Sequence, residues 1–563
     1  MIPAHPYNIH PAIRKHLKII GMEDAERLES FLFPTLSELP PPTLFKSMDK
    51  AVALVLEAVS KEHEILIWGD YDVDGITATA LLVLFFRQVG VSVRHHIPNR
   101  LTDGYGLNSK VLQKLSESMR ADKLLITVDC GISNKDEIRE AQNNGFRVIV
   151  TDHHQVPANA LQADATINPK QNDCSFPAKD IAGVAVAFYL ATAIRSAMRE
   201  NNSLYPGASS VNMKLFLAYV AIGTVADLMP LTGINRLLVK GGFEVISSSE
   251  LENFILLFDQ LNISHKHVLS ENISFQVAPA INAAGRLGMS GLPIDLLLTQ
   301  SSEEACKLAG DLVRLNKKRK AVSRDDFDLA LKQVAQSEVE DKSCLVLKGD
   351  FHDGILGITA SRLAELFQIP VLVCCENLQD SMMLKGSGRA PDGFNLYQAL
   401  YGCANYLKKF GGHEAAAGFS LVKDSFMNFK RCFEQSVFSL NLGKEYDSDP
   451  LVKEYINLPL SDALDPALLD NLLQLEPLGE GNPKPVFVDK DVRFVSLNHF
   501  GFNGDHIKGV VRGRYTNIPF IGFNLGKKVK TQDRSRPCSM KYSHMLNYFN
   551  GKTSWQIKAE DIW

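Results

Sequence analysis

The sequence is poor in the features that assign a chain quickly. Its nine cysteines are odd in number and scattered, with no C-x-x-C pair, which fits neither a disulfide scaffold nor a thiolate zinc site and points to a reducing cytoplasm. No apolar run reaches the ~18 residues that cross a bilayer. The longest, Ile181 to Ile194, stops at Arg195 and reads as a buried helix. The opening stretch MIPAHPYNIHPAIRKH holds no continuous apolar segment of signal-peptide type. Charge is almost balanced, 60 Lys and Arg against 64 Asp and Glu for a net −4, so any polyanion site must be local. A P-loop is lacking as well: Gly551-Lys552-Thr553 has Leu546 where that loop needs glycine. No pattern suggests a serine or cysteine nucleophile, and no repeat of fixed period is visible.

What remains is an ordinary globular composition, 45% hydrophobic and 22% charged over 563 residues, enough for about three or four domains. From Ala51 to Val150 short apolar runs alternate with amphipathic stretches, as βα units of a parallel sheet do. The expected strands are 64–68, 91–97, 123–128 and 147–150, and the expected helices 76–88, 109–118 and 134–144. Apolar helices near 181–198 and 213–226 would cover that sheet. A stretch without Gly or Pro, 311–348, predicts a long connecting helix. The alternation then restarts with strands at 344–348, 371–375 and 382–385 and a helix at 358–367. Short segments bounded by Gly, Asn and Pro from Val486 onward suggest a small β-barrel or sandwich.

The densest chemistry is WGDYDVDG, which sets Asp70, Asp72 and Asp74 directly after the apolar run EILIW. Three crowded carboxylates repel unless a cation or strong hydrogen bonding compensates, and hard oxygen donors suit Mg²⁺, Mn²⁺ or Ca²⁺. An EF-hand loop matches D-x-D-x-D-G but fails at its twelfth position, which is Leu81 rather than Glu. A solvated acidic turn is the plainest alternative. Against it, LLITV is followed by Asp129 and VIV by Thr151, Asp152, His153 and His154, so three strands end in such groups. In a parallel sheet those ends share one edge. Asp227, inside the apolar stretch GTVADLMPL, is either a fourth contribution or a helix cap. Carboxylates and imidazoles around two hard cations form the constellation of two-metal phosphoester or phosphoanhydride hydrolysis.

DYDVDG, VDCG, TDHH and VADLMPL, in this order and spacing, resemble the four motifs of the DHH phosphoesterase superfamily. The likeness continues through IPNRLTDGYGLN, NPKQND, PAINAAGRLG, HDGILGITASRL, KGSGRAPDGFNL, FGGHEAAAGF and EPLGEGNPKPVF, and lies toward the branch of bacterial single-strand-specific DNA exonucleases. It implies that Asp72 binds one cation and Asp74 the other, that Asp129 bridges, and that His153 and Asp227 complete the second site. Asp70 would take the first-site place that many relatives give to a histidine, here Trp68. Asp152 would orient ligands, and His154 would contact the scissile phosphate. Asp129, Asp152 and His154 are thus the expected catalytic residues, with two Mn²⁺ or Mg²⁺ per site. Arg100, Arg286, Ser387 and Arg389 would form a pocket for a 5′-terminal phosphate, and Gly411, Gly412 and His413 a substrate loop. His352-Asp353, where many relatives carry Trp-His, and Ala390, where Ser is common, depart from the pattern.

The expected fold is therefore α/β. A parallel-sheet DHH domain (47–243) follows an N-terminal segment (1–46), and a helical connector (244–340) leads to a smaller α/β DHH-associated domain (341–440) and an OB-like barrel (441–563). Basic runs at Arg314, Lys317, Lys318, Arg319, Lys320 and Arg324, and at Lys527, Lys528, Lys530, Arg534 and Arg536, would track a nucleic-acid backbone, with Tyr515, Phe520 and Phe523 to stack on bases. The implied activity is a cytoplasmic, monomeric 5′→3′ exonuclease on single-stranded DNA, in recombination and repair, accompanied by a single-strand-binding protein and a helicase. A short-oligonucleotide nuclease or phosphatase and an inactive replication scaffold are the alternatives.

Overall fold

Five short apolar strands build the first sheet: β1 (Glu64–Trp68), β2 (Arg94–His96), β3 (Lys123–Val128), β4 (Phe146–Thr151) and β5 (Ala165–Ile167). All are parallel, in the order β2-β1-β3-β4-β5. Both faces are buried, which is why the strands read as continuous apolar runs. Ile65, Ile67, Leu124 and Ile126 face a core shared with the helices Met48–Ser60, Val73–Gln88 and Gly183–Glu200. Their strand neighbours Leu66, Trp68 and Leu125 pack on the opposite face with Leu112, Ile138 and Ala141. The computed structural model describes the chain apart from residues 1–8, 158–162, 202, 249, 336–342, 379, 442–454, 502–503, 514–516, 530–536 and 550.

The second predicted strand, 91–97, is reduced to Arg94–His96 at the sheet edge, where one flank has no partner, and β5 escaped the sequence reading because it is only three residues long. The long helix runs Ser302–Ala335 rather than from Asp311. Gly310 lies inside it, and burial of Ala305, Ala309 and Leu312 outweighs that glycine's poor helix propensity. At 34 residues it spans about 50 Å.

The second sheet comprises β6 (Leu345–Lys348), β7 (Val371–Asn377), β8 (Asp380–Arg389), β9 (Lys409–Gly412) and β10 (Ala416–Val422), in the order β6-β7-β8-β10-β9. Only β6 and β7 pair in parallel. The third is a seven-stranded, mostly antiparallel sheet of β11 (Ile456–Asn457), β12 (Phe487–Val492), β13 (Phe494–Phe500), β14 (His506–Arg512), β15 (Asn517–Gly522), β16 (Cys538–Phe549) and β17 (Lys552–Ile562). Ile13 and Leu17 of the helix Pro11–Ile19, with Leu28 and Leu32 of the helix Ala25–Leu32, share its core, and the His10 amide donates to Asn471 Oδ1 at 2.7 Å. The N-terminal segment thus packs with the far end of the chain. Phe520 is 2% exposed in that core, against Phe494, so it cannot be a stacking platform; Phe523 is 45% exposed. Tyr515, Lys530, Arg534 and Arg536 lie outside the described residues. Among the described residues no helix is long and apolar enough to cross a membrane.

Candidate metal centre

Strand order places the site. The chain order reverses beside β1, whose neighbours are β2 and β3, and a parallel sheet opens a crevice at the carboxyl ends of such strands. Asp70 follows β1, Asp129 follows β3, and Asp152 follows β4. Asp72 then caps the helix Val73–Gln88, its Oδ1 accepting from the Gly75 amide at 3.1 Å, which carries Asp74 into the first turn. Asp129 holds a left-handed backbone, φ 59°, between the Thr151 carbonyl that its amide reaches at 3.0 Å and Gly131 at φ 112°. Non-glycine residues adopt that region at a cost and usually for a local reason; here it turns the carboxylate back over the strand ends. Asp227 ends the helix Leu217–Ala226.

These groups converge. Ligand atoms of Asp70, Asp72 and Asp129 lie within 4.8 Å of one another, as do those of Asp74, His153 and Asp227, and those of Asp129, His153 and His154. His153 Nε2 is 3.1 Å from Asp129 Oδ1, 3.5 Å from Asp227 Oδ2 and 3.8 Å from Asp74 Oδ2. Asp74 is anchored by the Gly183 and Val184 amides, which donate to its two oxygens at 2.6 and 2.8 Å from the N-terminus of the helix Gly183–Glu200. Asp152 differs from the rest. Its Oδ2 accepts from the Ile132 amide and its Oδ1 from the amides of His153 and His154 and from His154 Nδ1, at 2.7 to 3.0 Å. It is therefore a support that orients His154, whose Nε2 faces the Tyr105 hydroxyl at 3.5 Å.

Electrostatics separate the two kinds of carboxylate. Burial, then the charge of Asp72, pushes Asp74 up to about 7 and Asp70 well above the usual range. Burial and Asp74 lift Asp227 to about 8, and burial with the surrounding aspartates raises Asp129 strongly. Burial works on Asp152 in the same direction, yet its bonds to His154 and the backbone hold it below the ordinary value. Burial lowers His153 to about 4, whereas the Asp152 bond overcomes burial to raise His154 to about 9. Asp70 Oδ1, Asp129 Oδ1, Asp227 Oδ2 and His153 Nε2 are buried without a hydrogen-bond partner among the described residues. Mutually repelling oxygens and a neutral imidazole, all turned to one space, fit hard divalent cations.

A second cluster lies beside the first. Arg100 stacks on Tyr71 at 5.3 Å and draws Asp70 downward. Burial and the charges of Arg100, Arg319 and Arg389 hold Arg286 at about 10, and burial with Arg100 lowers Arg389. Among the described residues none of these four guanidinium groups has a carboxylate within ion-pair distance. Arg389 donates to Ser387 Oγ at 3.1 Å, and Arg286 to the Gly354 carbonyl at 3.4 Å. Positive groups without a carboxylate partner are the chemistry that attracts an anion. Gly411 and Gly412, at the end of β9, and His413, in the turn to β10, are exposed, and among the described residues no hydrogen bond or ion pair joins them to the carboxylates.

Sequence reasoning missed the part played by four residues. A Cβ on Gly183 would lie 2.7 Å from Asp129 Cβ, and one on Gly223 would lie 2.9 Å from Asp74 Oδ1, so the walls of the site need both glycines. Tyr105 closes the rim over His154. Arg319, read as part of a basic run, bonds Asn316 Oδ1 at 2.7 Å, and its charge is felt at Arg286. A glycine opening an apolar helix, as in AGVAVAF, was the available signal for Gly183.

Comparison with known proteins agrees with this organisation. Residues 64–224 match the model of the DHH family, N-terminal domain, residues 337–437 that of the DHHA1 domain, and residues 456–561 that of the RecJ OB domain. The chain is 31% identical to the single-stranded-DNA-specific exonuclease RecJ of Haemophilus influenzae over 98% of its own length and 96% of that protein's. The crystal structure of RecJ from Thermus thermophilus in complex with Mn²⁺ superposes with TM-score 0.77 at 28% identity, over 99% of this chain and 76% of that one. The corresponding Mg²⁺ complex gives 0.70 at 27%, over 98% and 74%. With all three domains in order and similarity over nearly its whole length, the chain belongs to the RecJ family.

Proposed function

We propose that the protein is a divalent-cation-dependent exonuclease that degrades single-stranded DNA from its 5′ end to mononucleotides, in recombination and repair. The observation that carries this reading is the adjacency of two clusters of opposite sign: buried, unpartnered carboxylates and imidazole on one side, and the Arg100, Arg286, Arg319 and Arg389 group on the other. The first matches the donor chemistry of two cations, the second a terminal phosphate. The RecJ of Thermus thermophilus, crystallised once with Mn²⁺ and once with Mg²⁺, supports the choice of cations.

Asp70, Asp72 and Asp129 would hold one cation, and Asp74, His153 and Asp227, with Asp129 between, the other. When bound, such cations polarise the scissile phosphate and ease deprotonation of a water. The arginine pocket holds the 5′-terminal phosphate, so the bond presented for cleavage lies one nucleotide inward. Breaking the P–O3′ bond frees a 5′-mononucleotide and leaves a new 5′-phosphate on the strand, which the same pocket takes up. The Asp152 carboxylate beside His154 Nδ1 favours the protonated imidazole, which could then donate from Nε2 to a phosphate oxygen. Charge neutralisation at that point stabilises the transition state more than the ground state. Ser387 and Arg389, from β8, bring the second domain onto the same pocket, and Gly411, Gly412 and His413 would follow the strand beyond it. The reading also carries a monomeric cytoplasmic enzyme, with a single-strand-binding protein and a helicase to present the strand.

The test uses chelator-stripped protein with end-labelled strands. Labelled mononucleotide should appear at once from the 5′ end, only after Mn²⁺ or Mg²⁺ is restored, and Asp129→Ala should abolish it while single strands still bind. Undiminished cleavage without cations, or release from the 3′ end first, refutes the reading. Faster turnover of a dinucleotide than of a long strand would favour the short-oligonucleotide enzyme.

A further inference from the structure

The segment LEPLGEGN, Leu475–Asn482, takes no part in the chemistry described, yet it is densely hydrogen-bonded. It lies between the helix Pro466–Gln474 and β12 of the third sheet. Asn482, fully buried, donates through Nδ2 to the carbonyls of Leu475 and Pro477, and its backbone pairs with Gly479. The loop therefore keeps one shape, and contacts on two sides tie that shape to the catalytic domain and to the helical connector.

On one side, the Leu231 amide donates to the Glu480 carbonyl at 2.7 Å. Leu231 is four residues beyond Asp227, on the short segment that leaves the helix Leu217–Ala226 through Leu228 at φ 55°. Asn235 grips the same segment at the Pro230 carbonyl. Arg236, 2% exposed, reaches across to the carbonyls of Gln474, Leu475 and Pro477. On the other side, Glu476 Oε2 accepts from Ser270 Oγ at 2.6 Å and from the amides of Ser270 and Leu478. Ser270 opens an uninterrupted helical run through Ile273–Val277 to the helix Ala278–Arg286, whose last residue is the pocket arginine. Lys484 bonds Glu271 at 2.8 Å beside it.

We infer that Leu475–Asn482 is a positioning joint that sets Asp227, on the cation side, and Arg286, on the phosphate side, at a working separation, so that the seat of the C-terminal domain enters directly into cleavage. This rests on the roles assigned above to Asp227 and Arg286. Among the described residues, Asp227 is the site carboxylate whose segment is bonded to Leu475–Asn482, so movement of the joint reaches it first. Strand-end carboxylates such as Asp70 and Asp129 are braced by the sheet and stay in place.

Two substitutions address the two arms. Gly481→Ala puts a Cβ on a residue at φ 70°, 3.1 Å from Thr232 Cγ2 and 3.5 Å from Pro230 Cβ, pressing on the Asp227 segment. Ser270→Ala removes the hydroxyl shared by Glu476 and Leu478 and loosens the root of the Arg286 helix. Mn²⁺ binding is read by electron paramagnetic resonance of the free ion, and end preference as the cleavage ratio of 5′-phosphorylated to 5′-hydroxyl strands. Gly481→Ala should weaken one of two Mn²⁺ binding steps by about tenfold, the range of losses seen when groups supporting metal ligands are disturbed, with end preference kept. Ser270→Ala should lower end preference severalfold with Mn²⁺ binding kept. A merely structural loop would lower the melting temperature and move neither readout, and that result overturns the inference. If Gly481→Ala does not fold, Asn482→Ser takes its place with the same expectation. A wild-type chain that binds no Mn²⁺ overturns the underlying reading as well; wild-type binding with unmoved variants overturns the joint alone.

Discussion

Gly183→Ala concentrates the geometry of the centre in one methyl group. The added Cβ would meet Asp129 Cβ at 2.7 Å, its Oδ1 at 2.8 Å and its Cα at 2.9 Å, and ordinary van der Waals contact begins near 3.4 Å. One of the two backbones must therefore move by about 0.7 Å, and neither neighbour is the loose end of a long side chain. That exceeds the ~0.2 Å tolerance of a metal–ligand distance. The same residue's amide donates to Asp74, so retreat of the helix displaces the second carboxylate too. Overpacking of this kind costs about 1 to 3 kcal/mol, within the roughly 5 to 15 kcal/mol typical of a domain, so the variant should fold. Misplacement by about 1 Å costs on the order of 100-fold in rate. The assay is exonuclease turnover on a 5′-labelled strand across a Mn²⁺ series, with melting temperature in parallel and Gly310→Ala, whose added Cβ comes no nearer than 3.5 Å to Arg314, as the control. A folded Gly183→Ala protein with wild-type turnover and Mn²⁺ requirement would refute the argument that Asp129 and Asp74 are held by this close approach.

The remaining expectations use the same groups. Without cations, Asp70, Asp74, Asp129 and Asp227 have raised values in the fold, so the folded state binds more protons than the unfolded one between about pH 4 and 8 and stability falls as pH rises through that window. His154, raised to about 9, adds in the same direction above its ordinary 6.5, and His153, lowered to about 4, opposes between 4 and 6.5. Melting temperature in chelator should therefore decline toward pH 8, and Mn²⁺ should flatten the decline; a rise with pH in chelator would contradict the burial of these carboxylates. Asp152→Asn removes the charge that keeps His154 protonated, so the alkaline limb of the pH–rate profile should move from about 9 toward 6.5, and an unmoved limb would remove His154 from the reaction. Arg286→Ala and Arg389→Ala should each cut the preference for 5′-phosphorylated strands by about tenfold or more, the worth of one charge-assisted bond. An unchanged ratio would place the terminal phosphate elsewhere.

Local sequence was informative wherever chemistry followed an apolar run. β1 and β3 begin and end where the pattern places them, and Asp70, Asp129 and Asp152 stand at strand ends because a parallel strand stops where its apolar residues stop. The helix Ser302–Ala335 was misjudged at its start since Gly310 reads as a breaker until the burial of its neighbours is known. Phe520 and Phe523 are three residues apart and chemically alike, yet one fills the third core and the other is open. Nothing in the residues Pro11–Leu32 signals that they pack with Leu468 and Leu472.

From the order of residues alone came the α/β class, the strand ends and the set of acids and imidazoles, since each depends on neighbours within a few positions. Tertiary structure decided which of those acids is already satisfied, as Asp152 is by three amides and an imidazole, and which keep a buried oxygen without a hydrogen bond among the described residues, as Asp70 and Asp129 do. It also decided that Arg286 feels the charges of Arg100, Arg319 and Arg389, and that two glycines bring helices against the carboxylates. The physical reason is the same throughout: hydrogen bonding, desolvation and close packing act through space between segments far apart in the chain, and no local pattern encodes that separation.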